Sequence, residues 1–309
     1  MSEGPARESP LLTYREGLLA SADRNPALVV AEAGLPPSVA SVPFANRFPS
    51  RYIASAGLEA VSAAAERCAA GGPVFLGAPI SFLLEGAYPS LVRSLIVSGL
   101  NVKLVGFPLD DPQLGWVRDD LATMRALPGV TVVFPADGPT VRSATSVLAE
   151  RVGPAYLRLP APDAPTVTAG KFTVGQAQQL RSGGDLTIVA LGPTVLRALE
   201  TSDELGRVGV TVRVLDAASV KPFDEAAVLR AARETGAILV VEAAPVATGV
   251  GSLVAAFTAE NYPVPVRRLG YPDVGPGQGP AARAGELGFS LDRLRDEAWE
   301  LLRLRGRIA

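Results

Sequence analysis

The sequence predicts an α/β protein of two domains, each a mostly parallel sheet flanked by helices. Three observations carry this expectation. Short, Val-rich apolar runs alternate with helix-like segments along most of the chain, the pattern of parallel strands joined by crossover helices. Hydrophobic residues make up 48% of the chain and charged residues 19%, a composition that buries cores and is far from that of a disordered polymer. The length of 309 residues corresponds to two domains at about 150 residues each.

In the first half, residues 28–31, 74–76, 102–106 and 131–134 read as strands, rich in Val and bounded by turn residues. Residues 57–70, 89–98 and 119–127 between them read as helices. From 159 to 175 the chain turns to Pro160, Pro162 and Pro165 with small residues, Gly170 and Lys171, an expected connection between a domain at 1–165 and another at 176–309. A second alternating series follows, with strands at 187–191, 210–215, 238–242 and 266–269. Its helices begin at Thr194 and Asp224 and cover 252–259 and 291–302. Asp224 is a good N-cap and Thr235-Gly236 a good closing pair for the helix between them.

Composition excludes whole classes of chemistry. The net charge is −2 and no basic block stands out, against a nucleic-acid partner. The single cysteine, Cys68, cannot form an internal disulfide or a multi-cysteine metal site. Histidine is absent, which removes imidazole acid–base chemistry, Ser-His-Asp triads and His-ligated metals. The mean hydropathy of +0.26 raises the question of a membrane. The longest uncharged stretches, 68–84 and 243–259, are shorter than the ~20 residues of a comfortable span. No signal peptide is legible at the start. A cytoplasmic protein without a membrane partner is expected, its hydropathy explained by buried parallel strands.

Several strings then carry a family resemblance. The run Phe44-Ala-Asn-Arg-Phe-Pro-Ser-Arg-Tyr-Ile-Ala-Ser-Ala-Gly-Leu-Glu59 resembles the transketolase segment leading to its catalytic glutamate. Asn101-Val-Lys-Leu-Val-Gly106, Asp120-Leu-Ala-Thr-Met-Arg-Ala-Leu-Pro128, Val133-Phe-Pro-Ala-Asp137 and Gly153-Pro-Ala-Tyr-Leu-Arg-Leu159 continue it. Asp185-Leu-Thr-Ile-Val-Ala-Leu-Gly192 and Val214-Leu-Asp-Ala-Ala-Ser-Val-Lys-Pro-Phe-Asp224 are similar to the C-terminal domain of that family.

The resemblance implies a pyrimidine-binding domain of the thiamine-diphosphate-binding fold, followed by a transketolase C-terminal-like domain. It implies thiamine diphosphate as cofactor, shared with a partner. The family's Gly-Asp-Gly motif for diphosphate and Mg²⁺ is missing; Gly184-Asp185-Leu186 is the nearest string. A separate N-terminal transketolase subunit is therefore expected to carry the diphosphate and Mg²⁺, in an α2β2 hetero-oligomer.

Site residues follow from the same resemblance. Glu59 matches the catalytic glutamate when the alignment runs forward from Phe44, whereas running back from the Ala-rich helix places Leu58 there. Both stay open, as does the plain reading of Glu59 as a carboxylate at a helix start. Phe82 matches the aromatic that packs on the aminopyrimidine, with a core phenylalanine as the alternative; Glu85 occupies a neighbouring aromatic's position. The family's Asp-Ala-Asp-Leu appears as Glu32-Ala33-Gly34-Leu35, its two active-site histidines fall near Pro108 and Gly115, and its phosphate-gripping arginine matches Ala161. Phe107, Asp110, Asp111 and Trp116 are candidates to line an altered substrate mouth. Loss of a bidentate arginine argues for a specialised, biosynthetic substrate over an ordinary sugar phosphate. Two other readings stand beside the enzyme: a catalytically degenerate subunit that stabilises its partner, and a β-like subunit of a 2-oxo-acid dehydrogenase.

Overall fold

The computed structural model describes residues 7–34, 41–108, 119–161, 164–272 and 290–306. The chain forms two compact units that divide between Val174 and Gly175.

The strands of the first unit are β1 (Val29–Ala33), β2 (Tyr52–Ser55), β3 (Val74–Pro79), β4 (Val102–Phe107), β5 (Thr131–Val133) and β6 (Ala155–Arg158). They lie in the order β5-β6-β4-β3-β1-β2, and every neighbouring pair is parallel. All five residues of β1 and all six of β4 are buried, which is why these strands read as mostly apolar runs, each with one charged residue (Glu32, Lys103), rather than alternating ones. The helices are α1 (Pro10–Arg24), α2 (Ser41–Arg47), α3 (Glu59–Ala69), α4 (Tyr88–Leu91), α5 (Asp120–Ala126) and α6 (Gly138–Glu150).

Helices α1 and α6 pack closely because Gly17 has no side chain. A β-carbon there would come 2.9 Å from Cβ of Thr145. The buried stripe of α1 is Thr13, Tyr14, Gly17, Leu18, Ser21 and Ala22, and that of α6 includes Thr140, Val141, Ala144, Thr145 and Leu148. Both stripes have helical spacing but are built largely from small or polar residues. Apolar periodicity therefore does not announce either helix in the sequence.

The expected helix at 89–98 begins earlier and is irregular. A π turn (Phe82–Gly86), α4 and a second π turn (Val92–Ile96) follow one another, and the amides of Ala87 and Val97 bond to the carbonyls of Phe82 and Val92. Such wide turns bulge a helix and change where its side chains point.

In the second unit, β7 (Gln178–Arg181), β8 (Leu186–Ala190), β9 (Val212–Asp216), β11 (Ile238–Pro245) and β12 (Val266–Tyr271) form a sheet of order β12-β11-β8-β9-β7. Only β7 runs antiparallel to its neighbour. The short β10 (Ser219–Lys221) lies outside this sheet. The helices are α7 (Thr194–Gly206), α8 (Glu225–Thr235), α9 (Val250–Asn261) and α10 (Leu291–Leu304). Asp224 caps α8, its carboxylate accepting from the Ala227 amide at 2.8 Å, and Gly236 closes it with φ +65°. No helix among the described residues is long and apolar enough to cross a membrane.

Candidate functional site

Parallel strands deliver their carboxyl ends to one edge of a sheet, and the turns that leave that edge are where such folds place their chemistry. In the first unit, β1 stands between β2 and β3. The turn after β2 leads to Glu59 and the turn after β3 leads to Phe82, so both follow strands that flank the end of β1.

Glu59 is the first residue of α3 and is exposed. The Ser55 hydroxyl donates to its Oε2 at 3.0 Å and also accepts from the Gly57 amide at 3.2 Å, which ties the β2–α3 turn together. The residue's own backbone N–H, then the Ser55 hydroxyl, hold its carboxyl below the usual range. It is an anion at neutral pH. Leu58, the other candidate, precedes it and is 43% exposed, an unusual setting for a leucine beside a carboxylate.

Phe82 opens the first π turn and is half-buried. Gly34, just past β1, has φ +64°, and a β-carbon on it would lie 3.5 Å from Cδ2 of Phe82 and 3.7 Å from Cδ of Pro79. The phenyl ring thus rests on a backbone position that has no side chain and whose conformation favours glycine. The sequence marks Gly34 only as a lost aspartate; its contact with Phe82 was not legible there. Glu85, in the same π turn, is exposed.

Phe107 ends β4 and is 3% exposed. Its ring meets Tyr14 edge-on, with centroids 5.9 Å apart, and lies over Gly77, where a β-carbon would come 2.9 Å from Cε2 of Phe107. Within this chain it closes the core instead of lining an opening. Asp110, Asp111 and Trp116 lie outside the described residues.

Two polar clusters at the same edge escaped sequence reasoning. On β1, the Glu32 carboxyl is 3% exposed and accepts from the Tyr52 hydroxyl at 2.7 Å. Burial raises its pKa, against hydrogen bonds from Tyr52 and Ser41 that lower it. Burial likewise pushes Tyr52 up to about 12 and raises Tyr14, with Glu32 adding to that shift. At the end of β6, the Tyr156 hydroxyl donates to Asp120 at 2.5 Å, and Arg158 pairs with Asp120 at 3.0 Å while stacking on Phe134 at 4.6 Å. Burial raises the Asp120 pKa even beside this guanidinium. Signals for both clusters existed, Glu32 inside the apolar β1 and Arg158 at the end of the apolar β6, but their partners are remote in sequence.

These features meet a consistent set of relatives. Residues 175–293 match the family model "Transketolase, C-terminal domain". The chain is 36% identical over 273 residues to a 6-deoxy-6-sulfo-D-fructose transketolase subunit of Clostridium sp. (strain MSTE9), covering 84% of each chain. It is 32% identical over 271 residues to a subunit of the apulose-4-phosphate transketolase of Phocaeicola vulgatus, covering 84% of this chain and 86% of the relative. It is 33% identical to the 1-deoxy-D-xylulose-5-phosphate synthase of Thermomicrobium roseum, of whose length it spans 43%. Among solved structures, a split-gene transketolase described as an inactive β4 tetramer superposes with a TM-score of 0.87 at 32% identity, covering 97% of this chain and 100% of that one. Sequence and structure agree across nearly the full length, and the chain belongs to the transketolase family, with the extent of its split-gene subunits.

Proposed function

We propose that this chain is the pyrimidine-domain subunit of a split, thiamine diphosphate-dependent enzyme that transfers a two-carbon ketol unit between carbonyl compounds. It acts together with a separate chain that supplies the diphosphate and Mg²⁺ site, in an α2β2 assembly. The observation that carries this reading is the pair Glu59 and Phe82 at one strand edge, a carboxylate and an aromatic ring both accessible on the isolated chain.

The donor set fits one half of the cofactor. An ionised carboxylate suits the polar edge of an aminopyrimidine, and a half-buried phenyl ring suits its face. The described residues do not fit the other half, because no three Asp, Glu or Cys side chains gather to hold a metal ion. When bound, thiamine diphosphate supplies the electron sink for breaking and making the carbon–carbon bond. The role of Glu59 is to hold a proton between its carboxylate and a ring nitrogen. Ser55 orients that carboxylate, and Phe82, backed by Gly34, holds the ring plane. With no histidine in the chain, carboxylates, water and partner residues carry the remaining proton transfers.

The substrate is a specialised sugar derivative. Ala161 stands where the family resemblance expects a phosphate-gripping arginine, and the names of two relatives concern a sulfo-sugar and apulose 4-phosphate. The relatives are transketolase subunits and synthases, which favours an active component over a degenerate or dehydrogenase-type subunit.

The test is co-purification with a transketolase N-terminal subunit, followed by titration of thiamine diphosphate with Mg²⁺. The pair binds cofactor and turns over, while Glu59→Gln and Phe82→Ala each lose activity with the assembly intact. Tight cofactor binding by this chain alone, or full activity in both variants, overturns the proposal.

A further inference from the structure

The opposite edge of the first unit, at the amino ends of the strands, contains a cleft of about 430 Å³. That is within the range of small-molecule sites. It opens where α1 and α6 end and β3 and β4 begin, and its lining includes Ser21, Arg24, Pro73, Asn101, Glu150 and Val152.

Its walls are pre-formed, because the Arg51 and Lys103 side chains donate to carbonyls at the helix ends. Arg51 donates to the carbonyls of Ala22 and Asn25 at 3.1 and 3.2 Å. The buried Lys103 donates to the carbonyls of Arg151 and Gly153 at 2.7 and 2.5 Å and to Oδ1 of Asn101 at 2.8 Å. One polar group on the wall is left over. Ser21 is 2% exposed, and its Oγ has no partner among the described residues. A buried hydroxyl without a partner is uncommon and points to an absent one. At the rim, Arg24 and Glu150 face each other at 3.6 Å with side chains 54% and 74% exposed, a long and solvated pair that costs little to separate.

We infer that this cleft binds a small zwitterion of the α-amino acid class, its carboxylate on Arg24, its ammonium on Glu150 and its polar side chain on Ser21. A lone carboxylate would meet Arg24 but be repelled by Glu150, and a lone amine the reverse. A ligand that carries both charges on one carbon can replace the Arg24–Glu150 pair with a contact to each side chain and is repelled by neither. Because the cleft lies at the other ends of the strands from Glu59 and Phe82, the inference does not rest on the proposed reaction.

The test uses the full, isotope-labelled chain with three probes: L-serine, propionate and ethanolamine. L-serine shifts the amide resonances of Asn25, Gly71 and Val152 saturably, and the two single-charge probes bind about tenfold more weakly or less. In Glu150→Gln, L-serine falls to the level of propionate, and Ser21→Ala weakens L-serine while leaving the rest of the spectrum in place. Absence of saturable shifts, equal binding of all three probes, or serine binding unchanged in both variants overturns the inference and leaves water as the partner of Ser21.

Discussion

Phe82 rests against Gly34, with its Cδ2 3.5 Å from the place where Gly34 would carry a β-carbon. The contact joins the turn after β3 to the end of β1 and sets the ring plane of the one aromatic that the proposed cofactor site uses. Gly34 has φ +64°, in the left-handed region where a side chain is strained by about 1–2 kcal/mol. Gly34→Ala is expected to destabilise the first unit by about that amount, read in urea unfolding followed by a first-unit probe. Gly34→Asn is expected to cost less, since asparagine tolerates this region. Equal stability of wild type and Gly34→Ala would show that the turn relaxes without strain.

Glu59 is ionised and exposed in the isolated chain, with its carboxyl held below the usual range by its own amide and by Ser55. Closing the proposed partner and cofactor ring over it would remove water, and desolvation favours the neutral acid. Its pKa is therefore expected to move upward on assembly. A carboxyl ¹³C titration of the free chain and of the assembled pair reads this directly. In the assembled pair, Glu59→Gln should lower kcat by about 10²–10⁴-fold, the range for losing an acid–base group. Leu58→Ala should change it little. The opposite ranking would move the catalytic register to position 58.

Much of the fold was legible because its strands are apolar and bounded. The buried runs of β1, β3, β4 and β11 announce themselves, as does Asp224 at the start of α8. Helices α1 and α6 were not legible from periodicity, because Gly17, Ser21, Thr140 and Thr145 stand at buried positions where a pattern reader expects large apolar residues. The candidate site divides the same way. Glu59 and Phe82 can be found from the strings around them, but the Glu32–Tyr52 and Asp120–Arg158 pairs join residues 20 and 38 positions apart in sequence and exist only once the strands align. Phe107, an aromatic at a strand end that the strings offer as a mouth residue, packs edge-on against Tyr14 in this chain, a contact that sequence spacing does not show.

Lys103 gives the first unit a pH signature. It is fully buried, and burial together with the nearby Arg151 lowers its pKa to about 7 from an ordinary 10.5. Between those values the unfolded chain binds more protons than the folded one. Stability contributed by this group therefore rises as pH increases from about 7 toward 10.5 and is lost as pH falls through 7. Urea midpoints measured across this window should climb in the wild type and flatten in Lys103→Met. Toward the upper end of this window that variant should also be less stable than wild type, because the carbonyls of Arg151 and Gly153 lose their donor. A wild-type profile parallel to that of Lys103→Met would place the titration elsewhere.

In the second unit, Glu242 is 1% exposed and caps α9 by accepting from the amides of Val250 at 2.6 Å and Gly251 at 2.9 Å. Two free donors at a helix start and a carboxylate complement each other, and hydrogen bonds to a charged group contribute about 1.5–3 kcal/mol. The arrangement requires glycine at 249, where a β-carbon would fall 2.2 Å from the carboxyl atoms of Glu242. Glu242→Gln keeps an acceptor but removes the charge, so amide exchange at Val250 and Gly251 should accelerate by about 10- to 100-fold. Gly249→Ala should accelerate it at least as much, since the carboxylate is displaced from both amides. Exchange in α7, on neighbouring strands of the same unit, should change much less in both variants. A uniform acceleration across the unit would mean that the cap stabilises the whole fold of the unit instead of the start of α9.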